Sequence, residues 1–162
     1  AARKLPKWHP LNLDSESDPL PLPILHAAVT VHTLYTLKNP REAIARICSN
    51  LEPGGYIYAA DLGRILNLMD WSAYLFRVNL QDHGLLRTLK LFIQGREVRR
   101  QNARISKHQW AGDYWLHDIR EYRACFEEQG VSVLYSSSEF YRGYDDLVVG
   151  QRTITNCTEA SD

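Results

Sequence analysis

Residues 50–64 read NLEPGGYIYAADLGR. Pro53 cannot continue a helix, and Gly54-Gly55 allow the positive φ of a tight turn, so a helix arriving at Leu51 must stop here. Residues 56–60 then form a short apolar run rich in strand formers, ending on Asp61. The glycines do not make a phosphate loop, because the stretch has neither G-x-G-x-x-G spacing nor a G-K-[ST] ending. They predict a helix-to-strand turn.

The neighbours complete the unit. HAAVTVH (26–32) is a near-continuous apolar run and predicts a strand buried on both faces. Asn39, Pro40 and Glu42 carry the spacing of a capping box with proline at the first helical position. Ala43, Ile44, Ile47, Cys48 and Leu51 follow as one apolar stripe. Strand 26–32, helix 40–51 and strand 55–61 therefore read as a right-handed β-α-β crossover, which builds a parallel sheet.

Residues 62–116 break this rhythm. DWSAYLFRVNL and LLRTLKLFIQGREVRRQNARISKHQW predict helices with one buried face, punctuated by Gly84, Gly95 and Gly112. From Asp118 the α/β pattern resumes. Asp118 and Glu121 form a second capping box, Tyr122, Cys125 and Phe126 make the stripe, and Gly130 suits the position after the helix. VSVLYSS (131–137) and DDLVVGQR (145–152) predict two antiparallel strands around a turn at 142–144, which Tyr144, Asp145 and Asp146 are expected to serve. Residues 1–23 hold five of the seven prolines and predict an extended segment with a short strand near 11–13. Residues 153–162 predict a flexible tail, whose Asn156-Cys157-Thr158 sequon reads as chance.

With 44% hydrophobic and 23% charged residues, the 162-residue chain has globular composition, and its formal net charge of zero gives no global attraction to a polyanion. Its three cysteines show no zinc spacing and no disulfide framework, so no metal is expected. The start lacks the apolar core of a signal peptide. The apolar stretch 24–37 is too short for a membrane span and contains His26 and His32. The expected compartment is the cytoplasm.

The order strand, capped helix, L-x-P-G-G, strand ending in Asp, helical insertion, helix, E-x-G and two further strands resembles the C-terminal half of a class I S-adenosylmethionine-dependent methyltransferase. VHTLYTLKNPREAIARICSNLEPGGYIYAADLGR matches the family's fourth strand, helix and fifth strand. EYRACFEEQGVSVLYSS and YDDLVVGQR match its last helix and its sixth and seventh strands. The resemblance implies an α/β fold: a partial Rossmann-like sheet of parallel strands with a C-terminal antiparallel strand, and a helical insertion at about 64–116 that covers the substrate. It implies S-adenosylmethionine as cofactor, with Asp14 near the adenine amine and Val31, His32, Thr33 and Leu34 flanking the methionine part. The family's cofactor grip, a glycine-rich turn after the first strand and an acid ending the second, is absent from this sequence. The chain is accordingly expected to be an incomplete catalytic domain, inactive by itself.

His32 and Tyr35 fall at the carboxyl end of a predicted central strand, where a histidine suits proton removal from a methyl acceptor. Local hydrogen bonds at a strand end are the alternative. Asp61 reads equally as a base or amine ligand and as a cap for the following helix. Trp71, Tyr74, Arg100 and Tyr114 are the candidate acceptor-binding residues of the insertion, although its aromatics, with Phe76 and Phe92, also suit a plain core. Arg96, Arg99, Arg100, Arg104, Lys107 and His108 suggest a phosphate-binding face beside Trp110 and Trp115, or simply a solvated one. Three functions therefore compete: part of a methyltransferase acting on a small-molecule acceptor, a non-catalytic methyltransferase-like interaction module, and, more weakly, a nucleic-acid-binding domain. The expected partners are a missing N-terminal half or a second copy at an exposed sheet edge.

Overall fold

The computed structural model describes residues 12–14 and 24–154. Most of the expected N-terminal segment, and the tail with its sequon, lie outside the described residues. Leu13 and Asp14 form a turn rather than the expected strand. Four strands are described: β1 (Leu25–Val31), β2 (Leu51–Leu62), β3 (Val131–Glu139) and β4 (Asp145–Arg152). They pair in the order β1-β2-β4-β3, with β1 and β2 parallel and β4 antiparallel to both of its neighbours. Helix α1 (Pro40–Asn50) makes the crossover between β1 and β2, and α4 (Ile119–Glu127) precedes β3. The arm between β2 and α4 consists of α2 (Leu68–Gln94) and α3 (Arg96–Ala111).

The predicted stripes build the core. Ile44, Ile47, Cys48 and Leu51 from the crossover meet Tyr122, Cys125 and Phe126 of α4 over Ile57, Ala59 and Val148 of the sheet. Tyr122 and Phe126 are fully buried; burying a side chain of that size stabilises by roughly 1.5–3 kcal/mol. The opening stretch folds as its glycines require. Gly54 adopts φ 84°. A Cβ on Gly55 would stand 2.9 Å from the Glu52 carbonyl oxygen and 3.1 Å from that of His26, so no side chain fits where β2 leaves the turn and joins β1.

Three expectations need correction. β1 is not buried on both faces: Val29 is 71% exposed and Val31 51%, because β1 is an edge of the described sheet. Asn39 makes no side-chain cap, since its backbone lies outside the usual capping region (ψ 70°), whereas Asp118 accepts the Glu121 N–H as expected. The arm does not bury a full apolar face. Within α2 only Trp71 and Thr88 are buried, and Gly84 (φ 73°, ψ 171°) kinks the helix.

Candidate active site

The parallel register sets Val31 beside Ala60, so β1 and β2 end at the same edge, the edge where α/β sheets place their ligands. β4 starts there in the opposite direction, pairing Asp145 with Leu62 and Asp146 with Asp61. Three carboxylates are thereby gathered at one corner, each almost fully buried.

His32 turns the chain away from β1 with φ 50°, a left-handed conformation uncommon for a residue with a side chain. Such a residue costs on the order of 1–3 kcal/mol and persists where its surroundings fix it. Two bonds do so: its N–H donates to the Ala60 carbonyl at 2.9 Å, and its Nε2 lies 2.7 Å from Asp145 Oδ2. The Asp145 side chain is 2% exposed and that of His32 39%, so the carboxylate meets the surface through the imidazole. The bond to Asp145 outweighs burial and raises the His32 pKa above its ordinary value. With Nε2 assigned as donor to the carboxylate, the neutral ring carries its lone pair on Nδ1.

Asp61 lies behind this pair. Its Oδ2 accepts the Leu34 N–H at 3.0 Å and the Tyr122 hydroxyl at 3.4 Å. Burial pushes its carboxyl up to about 6, opposed chiefly by the Leu34 bond. By holding Leu34, Asp61 anchors the 3-10 turn Leu34–Thr36 that carries Tyr35, whose hydroxyl burial raises to about 12. Asp146 accepts from Arg64 at 3.0 Å and pairs with His117 Nδ1 at 3.1 Å. Arg64 also donates to the Ser138 and Gly143 carbonyls at 3.0 and 2.5 Å, and His117 stacks on Tyr122 at 4.3 Å. Gly63 makes room for this corner, since a Cβ there would meet Asp146 Oδ2 at 2.2 Å.

In front of His32 opens a cavity of about 450 Å³ lined by Tyr35, Trp71, Tyr141, Tyr144 and, from α3, Asn102 and Ile105. Its wall includes a turn with three successive left-handed residues, Tyr141, Arg142 and Gly143 (φ 47°, 63° and 76°). The turn is fastened to α2. Tyr141 packs on Trp71 at 4.9 Å, the Arg142 guanidinium lies 3.9 Å above the Tyr74 ring, and the Tyr144 hydroxyl donates to Asp70 at 3.0 Å.

His32, Tyr35 and Trp71 thus share one cavity, and Tyr114 abuts Tyr35 edge-on at 5.2 Å. Tyr74 lies beneath Arg142. Arg100 is exposed and bonded to Glu97, so it does not line the cavity. Asp61 is enclosed behind it and caps no following helix, a role taken by Asn67. Of the proposed cofactor contacts, Val31 is exposed, Thr33 Oγ1 donates to the Val31 carbonyl, Leu34 is buried and Asp14 accepts the Lys38 N–H. The expectation that Tyr144, Asp145 and Asp146 merely serve a turn is corrected: Asp145 and Asp146 anchor His32, Arg64 and His117. Two adjacent acids opening an apolar strand, and a glycine two residues after Asp61, were the available signals. In the basic run, Arg99 lies over Phe92, Arg100 binds Glu97 and His108 binds Asp113, so half of its six groups have internal partners.

No protein-family model and no curated protein matches the sequence. Solved structures do. A chain of the complex between the Haloferax volcanii Trm112 methyltransferase activator and its methyltransferase superposes with a TM-score of 0.50 at 16% identity, over 88% of this chain and 60% of that one. The [4+2]-cyclase SpnF gives a TM-score of 0.50 at 12% identity, over 89% and 54%. The fold is a class I methyltransferase fold. The chain spans little more than half the length of these two structures, and the cyclase among them shows that the fold alone does not select the reaction.

Within the methyltransferase fold, the described residues do not by themselves fit S-adenosylmethionine. Asp14 already accepts from Lys38, and no glycine-rich strand-to-helix turn occurs in the sequence. Among the described residues there is no metal-binding group of histidines, cysteines and acids, and no helix long and apolar enough to cross a membrane.

Proposed function

We propose that this chain is the acceptor-side part of an S-adenosylmethionine-dependent methyltransferase, with His32 as the base for a small-molecule acceptor. The observation that carries this is the His32–Asp145 pair at the floor of a 450 Å³ cavity on the carboxyl edge of a methyltransferase sheet. The acceptor's proton passes to Nδ1 of His32, and Asp145 stabilises the imidazolium that results. Tyr35, kept protonated by burial, orients the acceptor by donating a hydrogen bond. Trp71 and Tyr141 form its aromatic wall, and Asp61 acts at one remove by fixing the turn that carries Tyr35. Tyr74 packs on Trp71 of that wall, and Tyr114 abuts Tyr35.

The cofactor grip belongs to a portion that packs against β1, supplied by the same gene or by a second chain; the exposed Val29 and Val31 favour such a partner. The cytoplasm suits a chain whose described cysteines are free. A second reading, a non-catalytic interaction module, is favoured by the edge strand β1, which leaves Val29 and Val31 open to a partner.

Calorimetric titration with S-adenosylmethionine and S-adenosylhomocysteine, of this chain alone and of the protein as its gene encodes it, separates the two. Methyl transfer predicts micromolar binding by the gene-encoded protein and little by this chain alone. In that protein, His32→Ala retains cofactor binding and loses roughly 10²–10⁴-fold in transfer rate. No cofactor binding by either preparation supports the module.

A further inference from the structure

We propose that the acceptor is an amphiphile, with a planar hydroxylated head at His32 and an aliphatic tail lying between α2 and α3. The proposal rests on reading the His32 cavity as the acceptor site. A second cavity, of about 360 Å³, shares Trp71, Leu75, Val98 and Asn102 with the first, so the two adjoin across these four side chains. Both volumes fall within the roughly 300–1,000 Å³ of small-molecule sites.

The second cavity is walled chiefly by Leu68, Met69, Leu75, Leu91, Phe92 and Val98. Its one charged group, Arg99, lies over the Phe92 ring and donates to the Phe92 carbonyl, and the rest of the lining is predominantly apolar. Met69 is 82% exposed and Val98 58%, although both line the cleft, and an aliphatic tail is the occupant that would remove such surfaces from water.

The head is chosen by the other end. Trp71 stands 4.9 Å from Tyr141 and 6.0 Å from Tyr144, and Tyr141 stands 6.1 Å from His32, an arrangement that suits a flat ring beside a base. A phenol or enol presents its hydroxyl to His32 Nδ1 and Tyr35 while its substituent points into the arm.

Binding of 4-alkylphenols of increasing chain length, measured by calorimetry without cofactor, tests this. Affinity is expected to rise about fourfold per methylene until the cleft is filled, then to level off. Val98→Trp, at a half-exposed position shared by both cavities, narrows the junction and is expected to shorten the chain at which affinity levels off. Affinity independent of chain length overturns the proposal. So does an unchanged profile in Val98→Trp, which would mark adsorption to the exposed Leu85 and Leu86 of α2. Cofactor binding by the gene-encoded protein with a flat alkyl profile removes the amphiphile alone; a steep, Val98-dependent profile without cofactor binding supports the cleft and removes methyl transfer.

Discussion

At the sheet corner, Asp61, Asp145 and Asp146 are at most 1% exposed, and each engages a partner from another part of the chain. In the arm, α2 runs for 27 residues with two of them buried, while Leu86 and Ile93 stand 85% and 75% exposed. Both regions face the same cavity. The corner fixes one geometry, because moving Asp145 or Asp146 leaves a buried carboxylate without its His32, Arg64 or His117 counterpart, and moving Asp61 frees the Leu34 N–H. The arm is held by aromatic contacts to the turn at 141–143 and by Ser106 and Gln109 bonded to the chain at 64–66, and its few buried side chains along α2 are the pattern of elements that open first.

The comparison breaks most readily at Asp146. Asp146→Ala removes the ion pair with Arg64 and leaves the enclosed His117 Nδ1 without its partner, and is expected to cost about 3 kcal/mol in urea unfolding. A loss below 1 kcal/mol would show that the corner is not the rigid member of the pair.

Asp61→Asn is expected to act in the opposite sense. The folded-state pKa of Asp61 stands at about 6, above its ordinary 3.8, so its contribution to stability is present at low pH and fades as pH rises through that window. Asparagine cannot ionise. The variant should therefore show a flatter stability profile between pH 4 and 6, and should exceed the parent above pH 7 by up to about 3 kcal/mol. His32 also has a raised pKa, so its contribution fades at higher pH, above 6.5, in both proteins.

Gly84→Ala sharpens the view of the arm. The position has φ 73° with open space around it, so the substitution meets backbone strain and no clash. A cost of about 1–3 kcal/mol is expected, confined to amide exchange in α2 and α3. Exchange that rises equally in β2 and β4 would make arm and corner one cooperative unit.

Much of the sheet could be read from the sequence because its signals are local. Pro53, Gly54 and Gly55 stop a helix whatever lies elsewhere, and the stripes of α1 and α4 follow the helical period. That His32 and Tyr35 would share one cavity was legible for a similar reason: they follow an apolar run at the carboxyl edge of the parallel strands. Asp145, Asp146, Arg64 and His117 were not, because their roles come from pairings across 29 to 113 residues of chain. The exposure of β1 was hidden for a different reason. An apolar run does not say whether a neighbour lies on its far side. The aromatics of the arm divided, Trp71 going to the cavity and Phe76 to a contact with Phe92, a choice set by the docking of the 141–143 turn.

The central claim is that Asp145 makes His32 the base at the floor of the cavity. The most direct measurement is the pH titration of the His32 imidazole by NMR, in the parent and in Asp145→Asn. The account predicts a His32 pKa above 6.5 that falls to or below that value in the variant, with the Trp71 and Tyr141 signals unmoved. A His32 that titrates at 6.5 or lower in the parent, and does not respond to Asp145→Asn, would contradict it.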